Sequence, residues 1–372
     1  MKMLYLTTWD FIHENTDGVC RKIRSQVVSF RKQGYKVDFL YIRGNKILLE
    51  ESGNISFVGK VGKIKKTVAY MKMYAVLKKK KYDCVYNRFG LLDFFYYRVL
   101  KQLHHNGAKI LIEIPTYPYE GERQSGFLYW LMFQWDRVYQ PKLKRVVNAI
   151  ATYSRDEEIF GIPTIQIRNG IDFSSVCPVS GRPMDDTIDL LAVALMQPYH
   201  GYERLLLGLK KYYSLGGQRK ILCHLVGDGP EKKVYEKIVL ENNLQDHVIF
   251  YGAKGGSELD EIYDRADIGV CTLGGYKKGL FWSSELKSRE YLAKGLPIII
   301  AMDLDVTEVM GTTYMLQYPN DESILNMEEI VSFYDRIYQE ERSGVVKKIR
   351  EAAENCISMD AVMQPVCAYI EQ

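Results

Sequence analysis

The chain has 372 residues, 47% of them hydrophobic and 26% charged, a globular composition with apolar material for two cores that excludes disordered, collagenous and disulfide-stapled classes. Its seven cysteines are widely spaced with no Cys-x-x-Cys pair, which suggests a reduced, cytosolic compartment and no zinc knuckle. The formal charge of +4 conceals a division: residues 1–165 hold 28 Lys and Arg against 15 Asp and Glu, whereas residues 166–372 hold 22 against 31. A basic first half and an acidic second half point to two domains, the first facing something anionic.

Met1 to Leu6 runs straight into a strand-like segment without the pattern of a secretory leader, so export is not expected. Strands are expected near 2–8, 36–42, 83–88, 108–114 and 149–153, with helices near 18–33, 63–81, 91–105 and 127–146. The pattern restarts after a polar stretch at Ser180 to Asp186. Strands follow near 189–195, 220–226, 247–251, 267–272 and 296–301, helices near 201–215, 230–242, 257–265 and 283–294, and a last group of helices from about 322. Apolar strands alternating with amphipathic helices predict two consecutive doubly wound α/β units, here bounded as 1–165, 166–355 and a closing helix over 356–372 that returns to the first unit. The longest wholly apolar run, Phe127 to Phe133, falls far short of the roughly 20 residues a membrane span requires.

Ligands of such sheets bind at the carboxyl ends of the strands, so the residues there carry the functional reading. Ser284-Glu285-Leu286-Lys287-Ser288-Arg289-Glu290-Tyr291 opens a helix that Gly295-Leu296-Pro297 ends, with Lys287 and Glu290 spaced to share a face. A glycine-bearing loop through Gly279 and Leu280 leads into it. Free backbone amides there suit a phosphate, Lys287 or Arg289 would add positive charge, and Glu290 would accept ribose hydroxyls. The same spacing fits an ordinary surface Lys–Glu pair.

These residues resemble the donor-site signature of GT-B glycosyltransferases of the family 4 type. Further matches fall in the family's order: Asn169-Gly170-Ile171-Asp172, His200-Gly201-Tyr202-Glu203-Arg204, Gly227-Asp228-Gly229-Pro230 and Val248-Ile249-Phe250-Tyr251-Gly252. The resemblance covers about residues 169–301 and implies two Rossmann-like domains facing across a cleft. It further implies transfer of a sugar from a nucleotide-diphosphate donor with retention of configuration, UDP before GDP as carrier, and no metal or other cofactor. Asn169, His200, Gly227, Gly279, Leu280, Ser284 and Glu290 become candidate donor ligands, and Lys287 and Arg289 candidate catalytic cations. The chain departs from the family at Trp282, where a second Glu usually stands, and at Leu195 and His200, where diphosphate-gripping Arg and Lys usually stand. Asp303-Leu304-Asp305 has the form of a metal-holding Asp-x-Asp, a role the GT-B context argues against.

In the first half, Asp17 and Gly18 open the first helix, Arg88 ends a strand, and Glu113-Ile114-Pro115-Thr116-Tyr117-Pro118-Tyr119-Glu120 ends another with rigid, polar chemistry. Asp17, Gly18, Arg88, Tyr117 and Glu120 are the candidate acceptor residues, for a glycan or lipid-linked glycan. Residues 60–81 hold nine lysines and no acid, and Phe127 to Trp135 is rich in aromatic residues. Both suit a peripheral site at the inner face of an anionic membrane, although a buried helix has the same aromatic composition. No nucleic-acid-binding module is legible. An epimerase or hydrolase of related form and a non-catalytic nucleotide-sugar-binding protein compete with the transferase reading.

Overall fold

Strand β1 (Lys2–Asp10) is buried from Met3 through Thr8, on both its faces, as a central strand of a parallel sheet must be. The computed structural model describes residues 1–14, 17–62, 65–119, 127–180 and 185–372, with the side chains of 65–66 and 127–129 also outside the description. The described residues divide into two units, 1–170 with 359–372 and 171–358, so the divisions fall at Gly170 and Ser358 where the sequence suggested 165 and 355.

In the first unit, α1 (Gly18–Lys32) follows β1, and the Asp17 carboxylate caps it by accepting from the Val19 and Cys20 amides. Then come β2 (Lys36–Arg43), β3 (Lys46–Glu51) and β4 (Asn54–Lys60). The last two form an antiparallel hairpin that the sequence reading did not anticipate. Ser52 and Gly53 both have positive φ, the conformation that matches a two-residue turn to strand twist. Helix α2 (Lys65–Leu77) is shorter than expected, and Lys78 to Lys81 lie beyond its end. It is followed by β5 (Cys84–Arg88), α3 (Phe94–His105), β6 (Lys109–Ile114), α4 (Phe127–Leu143), β7 (Ala149–Thr152), β8 (Glu158–Ile159) and β9 (Ile162–Gln166).

The strands order as β4-β3-β2-β1-β5-β6-β7-β9-β8, parallel from β2 through β9. One face packs on α2, α3 and α4 through Tyr70, Met73, Tyr96, Leu100 and Leu143. The other packs on α1 and on the chain's last helix through Ile23, Val27, Phe30, Met363 and Val366.

The second unit runs β10 (Thr187–Val193), α5 (Glu203–Ser214), β11 (Lys220–Val226), α6 (Lys232–Glu241), β12 (Val248–Gly252), α7 (Ser257–Arg265), β13 (Ile268–Val270), β14 (Trp282–Ser283), α8 (Leu286–Lys294), β15 (Ile298–Ile300), β16 (Asp303–Leu304), α9 (Asp305–Met310), β17 (Met315–Gln317), α10 (Met327–Ile337) and α11 (Arg342–Ile357). Its main sheet, β12-β11-β10-β13-β15-β17, is wholly parallel, while β14 pairs with β16 separately. One continuous core joins Leu190, Leu225, Ile268, Ile299 and the inner faces of the helices. Helix α12 (Met359–Glu371) belongs to the first unit, where the Lys109 amine reaches the Tyr369 carbonyl at 3.1 Å and holds the helix's last turn.

Candidate functional site

All strands of the second sheet point the same way, so the loops leaving β10, β11 and β13 gather at one edge. Glycines let them touch. A Cβ on Gly201 would lie 2.5 Å from the Gly274 nitrogen, and one on Gly227 would lie 1.8 Å from the Ala194 carbonyl oxygen. The Leu273 amide donates to the His200 carbonyl at 2.9 Å, joining the β10 and β13 loops backbone to backbone. Leu195, where the resembled family has a cation, is exposed.

His200 sits in this junction with its residue surface 94% covered. The Gln197 amide donates to its Nδ1 at 2.9 Å, so the ring is the neutral tautomer with its proton on Nε2. Burial, followed by the charges of Lys287 and Lys278, pushes its pKa down to about 3. The ring stacks on Tyr202 with centroids 5.7 Å apart, and the Tyr202 hydroxyl lies 3.3 Å from the Lys287 amine. Tyr202 thus joins the two residues, a role that sequence reasoning missed although it lay in the quoted His-Gly-Tyr motif.

Lys287 is half-buried in the first turn of α8. Burial lowers its pKa, an effect partly offset by the charge of Glu285. Glu285 is the N-cap residue but does not bond its own helix. Its carboxylate instead accepts from the Thr272 hydroxyl at 2.8 Å. The Glu285 side chain does not cap the first amides of α8, so the N-cap residue leaves the positive end of the helix dipole available to an anion. A neutral N–H donor, a partly desolvated ammonium and a helix start whose N-cap side chain does not bond it are groups whose chemistry suits a phosphate oxygen.

Arg289 departs from the expectation of a second phosphate cation. It is 0% exposed and ion-paired with Asp305, while its guanidinium also donates to the Ser284 hydroxyl at 3.1 Å and the Glu285 carbonyl at 3.2 Å. The reason is helical geometry: side chains two apart lie about 200° around the axis, so Arg289 faces away when Lys287 faces the loops. Ser284 donates to the same Asp305 at 2.7 Å, and the cluster anchors the helix start. Because Asp305 is occupied in this way, the Asp303-Leu304-Asp305 triplet does not present two open carboxylates. Glu290, half-buried on the following turn, stands beside the Tyr263 hydroxyl, whose pKa burial and then the Glu290 charge push well up. Gly279 and Leu280 lie exposed on the loop leading to α8.

The first unit holds the remaining candidates separately. Asp17 caps α1 and accepts from the Trp9 indole at 3.0 Å, which lowers its pKa, and Gly18 is exposed beside it. Arg88 is buried and paired with Glu113, so its charge is neutralised where the sequence suggested a substrate contact. Glu113 also accepts from Tyr86 and Gln26, each at 2.8 Å. Burial alone would raise its pKa; Arg88, Lys22 and these hydrogen bonds reverse that and hold it low. Tyr117 is half-buried against Phe160. Asn169 falls in this unit, where it accepts from Lys22 at 2.6 Å. Glu120 lies outside the described residues.

Known proteins resemble the chain in fold more than in sequence. The family described as Glycosyl transferases group 1 matches residues 180–276. A sucrose-phosphate synthase from Thermosynechococcus elongatus superposes with a TM-score of 0.58 at 17% identity, covering 100% of this chain and 98% of its own. A glycosyltransferase from Rickettsia africae gives 0.61 at 13%, covering 100% and 97%. HepE from Anabaena, solved in complex with UDP, gives 0.60 at 11%, covering 100% of both chains. No curated protein matches the sequence. Two Rossmann-like units with these likenesses identify the architecture as the GT-B fold.

Proposed function

We propose that the protein is a glycosyltransferase that moves a sugar from a nucleoside-diphosphate donor to a hydroxyl of a glycan or lipid-linked glycan. The observation that carries the reading is the convergence of neutral His200, Lys287 and the uncapped start of α8 at the carboxyl edge of a parallel sheet. The group 1 match, which covers residues 180–276 of the same unit and ends before α8, supports it, as does the UDP bound to HepE. The donor carries UDP, with GDP second. Lys287 and the α8 amides hold the β-phosphate, His200 donates to the phosphate or the sugar, and Glu290 receives the ribose hydroxyls. Arg289 is a positioning residue that fixes the helix start through Asp305. Asp17, Gly18 and Tyr117 serve the acceptor, with Arg88 supporting them from the interior.

The transfer retains configuration, as the resemblance to family 4 implies. The bond from the anomeric carbon to the β-phosphate oxygen breaks, and its electron pair stays on the phosphate. The acceptor oxygen bonds that carbon on the same face, and its proton passes to the departing phosphate. Charge grows on the leaving oxygen in the transition state, so Lys287 and the helix amides act where they lower the barrier. Metal independence belongs to the same reading, since Arg289 already neutralises Asp305. The protein works in surface polysaccharide or glycoconjugate synthesis, on the cytoplasmic face of a membrane.

Calorimetry against UDP, GDP and their sugars tests the donor assignment. Glu290→Ala is expected to weaken nucleotide binding roughly tenfold or more through loss of hydrogen bonds to a charged acceptor, and unchanged affinity removes the ribose role. Nucleotide-sugar binding without transfer to any acceptor favours instead a non-catalytic binding protein, the reading to which the burial of Arg289 and the apolar Leu195 lend support.

A further inference from the structure

The helices on one face of the first sheet carry a row of outward apolar side chains along α4 and the start of α3, while Ile55 and Phe57 on β4 are exposed separately. Along α4, Leu131, Trp135 and Val138 recur at intervals of four and three residues and all point outward, and Trp130 and Met132 flank them. Phe94, at the start of α3, is also outward, and these six side chains are 37–54% exposed. Between the starts of α2, α3 and α4 a mainly apolar slot of about 230 Å³ opens, lined by Leu91, Phe94, Phe95, Met132 and Trp135, with Asp93 in its wall accepting from the Thr67 hydroxyl at 2.6 Å. Past Val138 the chemistry changes: half-buried Lys142, in the last turn of α4, has its amine over the Tyr139 ring at 4.2 Å, and exposed Arg145 follows in the turn after the helix.

Charge decides what this surface accepts. Helices α2, α3 and α4 hold seven Lys or Arg and one acid, Asp136. Asp136 is fully buried and accepts from the Leu92 amide at 2.7 Å and from Gln140 at 2.7 Å. Arg98, Lys101 and Arg137 are exposed, and the run Lys78 to Lys81 follows α2 directly. A second copy placed face to face would bring cations onto cations, whereas a sheet of anionic headgroups over hydrocarbon complements both the cations and the apolar stripe.

We propose that the outward face of α2, α3 and α4 docks on an anionic lipid bilayer, with Leu131, Trp135 and Val138 entering the interface and the slot beside Phe94 receiving the end of a lipid chain. This deepens the membrane part of the functional reading and is independent of the donor chemistry. Trp130 and Trp135 sit at headgroup depth, where aromatic rings are favoured. Lys142 and Arg145 lie over the phosphates.

Flotation of the full chain with phosphatidylcholine vesicles, with or without phosphatidylglycerol, tests the proposal. Binding is expected with phosphatidylglycerol, together with a blue shift of tryptophan emission. Leu131→Gln combined with Trp135→Ala lowers partitioning by roughly tenfold or more. Lys142→Gln combined with Arg145→Gln lowers it by roughly twenty-five-fold, since each cation near the surface contributes about fivefold. Both double variants keep the unfolding midpoint and the nucleotide affinity of the parent, while Lys287→Ala still floats with vesicles, so failure of docking and failure of the transferase reading are separable. The proposal is overturned if the parent does not bind phosphatidylglycerol vesicles, if either double variant binds like the parent, or if the emission does not shift. Sedimentation showing a dimer that Trp135→Ala dissociates would assign the face to a second copy instead.

Discussion

The carboxyl edges of the two sheets receive a cation in opposite ways. At the end of β5, Arg88 is buried against Glu113, and Tyr86 and Gln26 complete the carboxylate's hydrogen bonds. At the start of α8, Lys287 is also drawn out of water, yet among the described residues it makes no ion pair and reaches only the Tyr202 hydroxyl, at 3.3 Å. The first arrangement is self-satisfied and stabilises a core. The second has the Glu285 charge nearby but no ion pair among the described residues, so an incoming anion would offset the desolvation that remains, and the difference teaches that a buried charge is open to a ligand only where its own ion pair is not already made.

The comparison breaks most visibly if the paired cation is deprived of its partner. Glu113→Ala leaves Arg88 buried and uncompensated, with an expected loss of about 3–5 kcal/mol in unfolding free energy. Denaturant titration checks this, and nucleotide affinity of the folded protein should not change. Lys287→Ala is expected to do the reverse. Turnover falls by about 100- to 1,000-fold, the usual effect of removing one group that stabilises a developing oxyanion, while the unfolding midpoint moves little. A loss confined to donor affinity with kcat unchanged would reduce Lys287 to a binding group.

A smaller effect sharpens the picture through pH. His200 has its folded pKa depressed to about 3 from an ordinary 6.5, so between those values the unfolded chain binds more protons than the folded one. Its contribution to stability is therefore complete above pH 6.5 and is lost as pH falls toward 3. Because the imidazole retains some contact with solvent, the slope is modest. Unfolding free energies of the parent and His200→Asn should converge below neutrality, and parallel profiles would show that the ring titrates normally in the fold.

The sequence reading located these regions unequally, for physical reasons. Continuous apolar strands such as β1 and β10, together with the regular alternation of helix and strand, make a parallel architecture legible. Arg289 was misplaced because proximity in the chain was read as proximity at the site, although helical geometry turns it away from Lys287. Arg88 was misread since nothing local announces that Glu113, 25 residues later, lies beside it in the neighbouring strand. The β3–β4 hairpin escaped notice because its only turn signal is Ser52-Gly53 within a polar stretch. Tyr202 resembles any helix-start tyrosine until its ring is seen against His200. The aromatic run of α4 was compatible with burial or exposure, and only the packing of Phe133 and Tyr139 inward turns Leu131 and Trp135 out.

A crystal structure with UDP addresses the central claim most directly. The account predicts the β-phosphate within hydrogen-bonding distance of the Lys287 amine and the first amides of α8, with the ribose hydroxyls on Glu290. A diphosphate bound elsewhere, or bound at that edge with Lys287 turned away from it, would contradict the assignment.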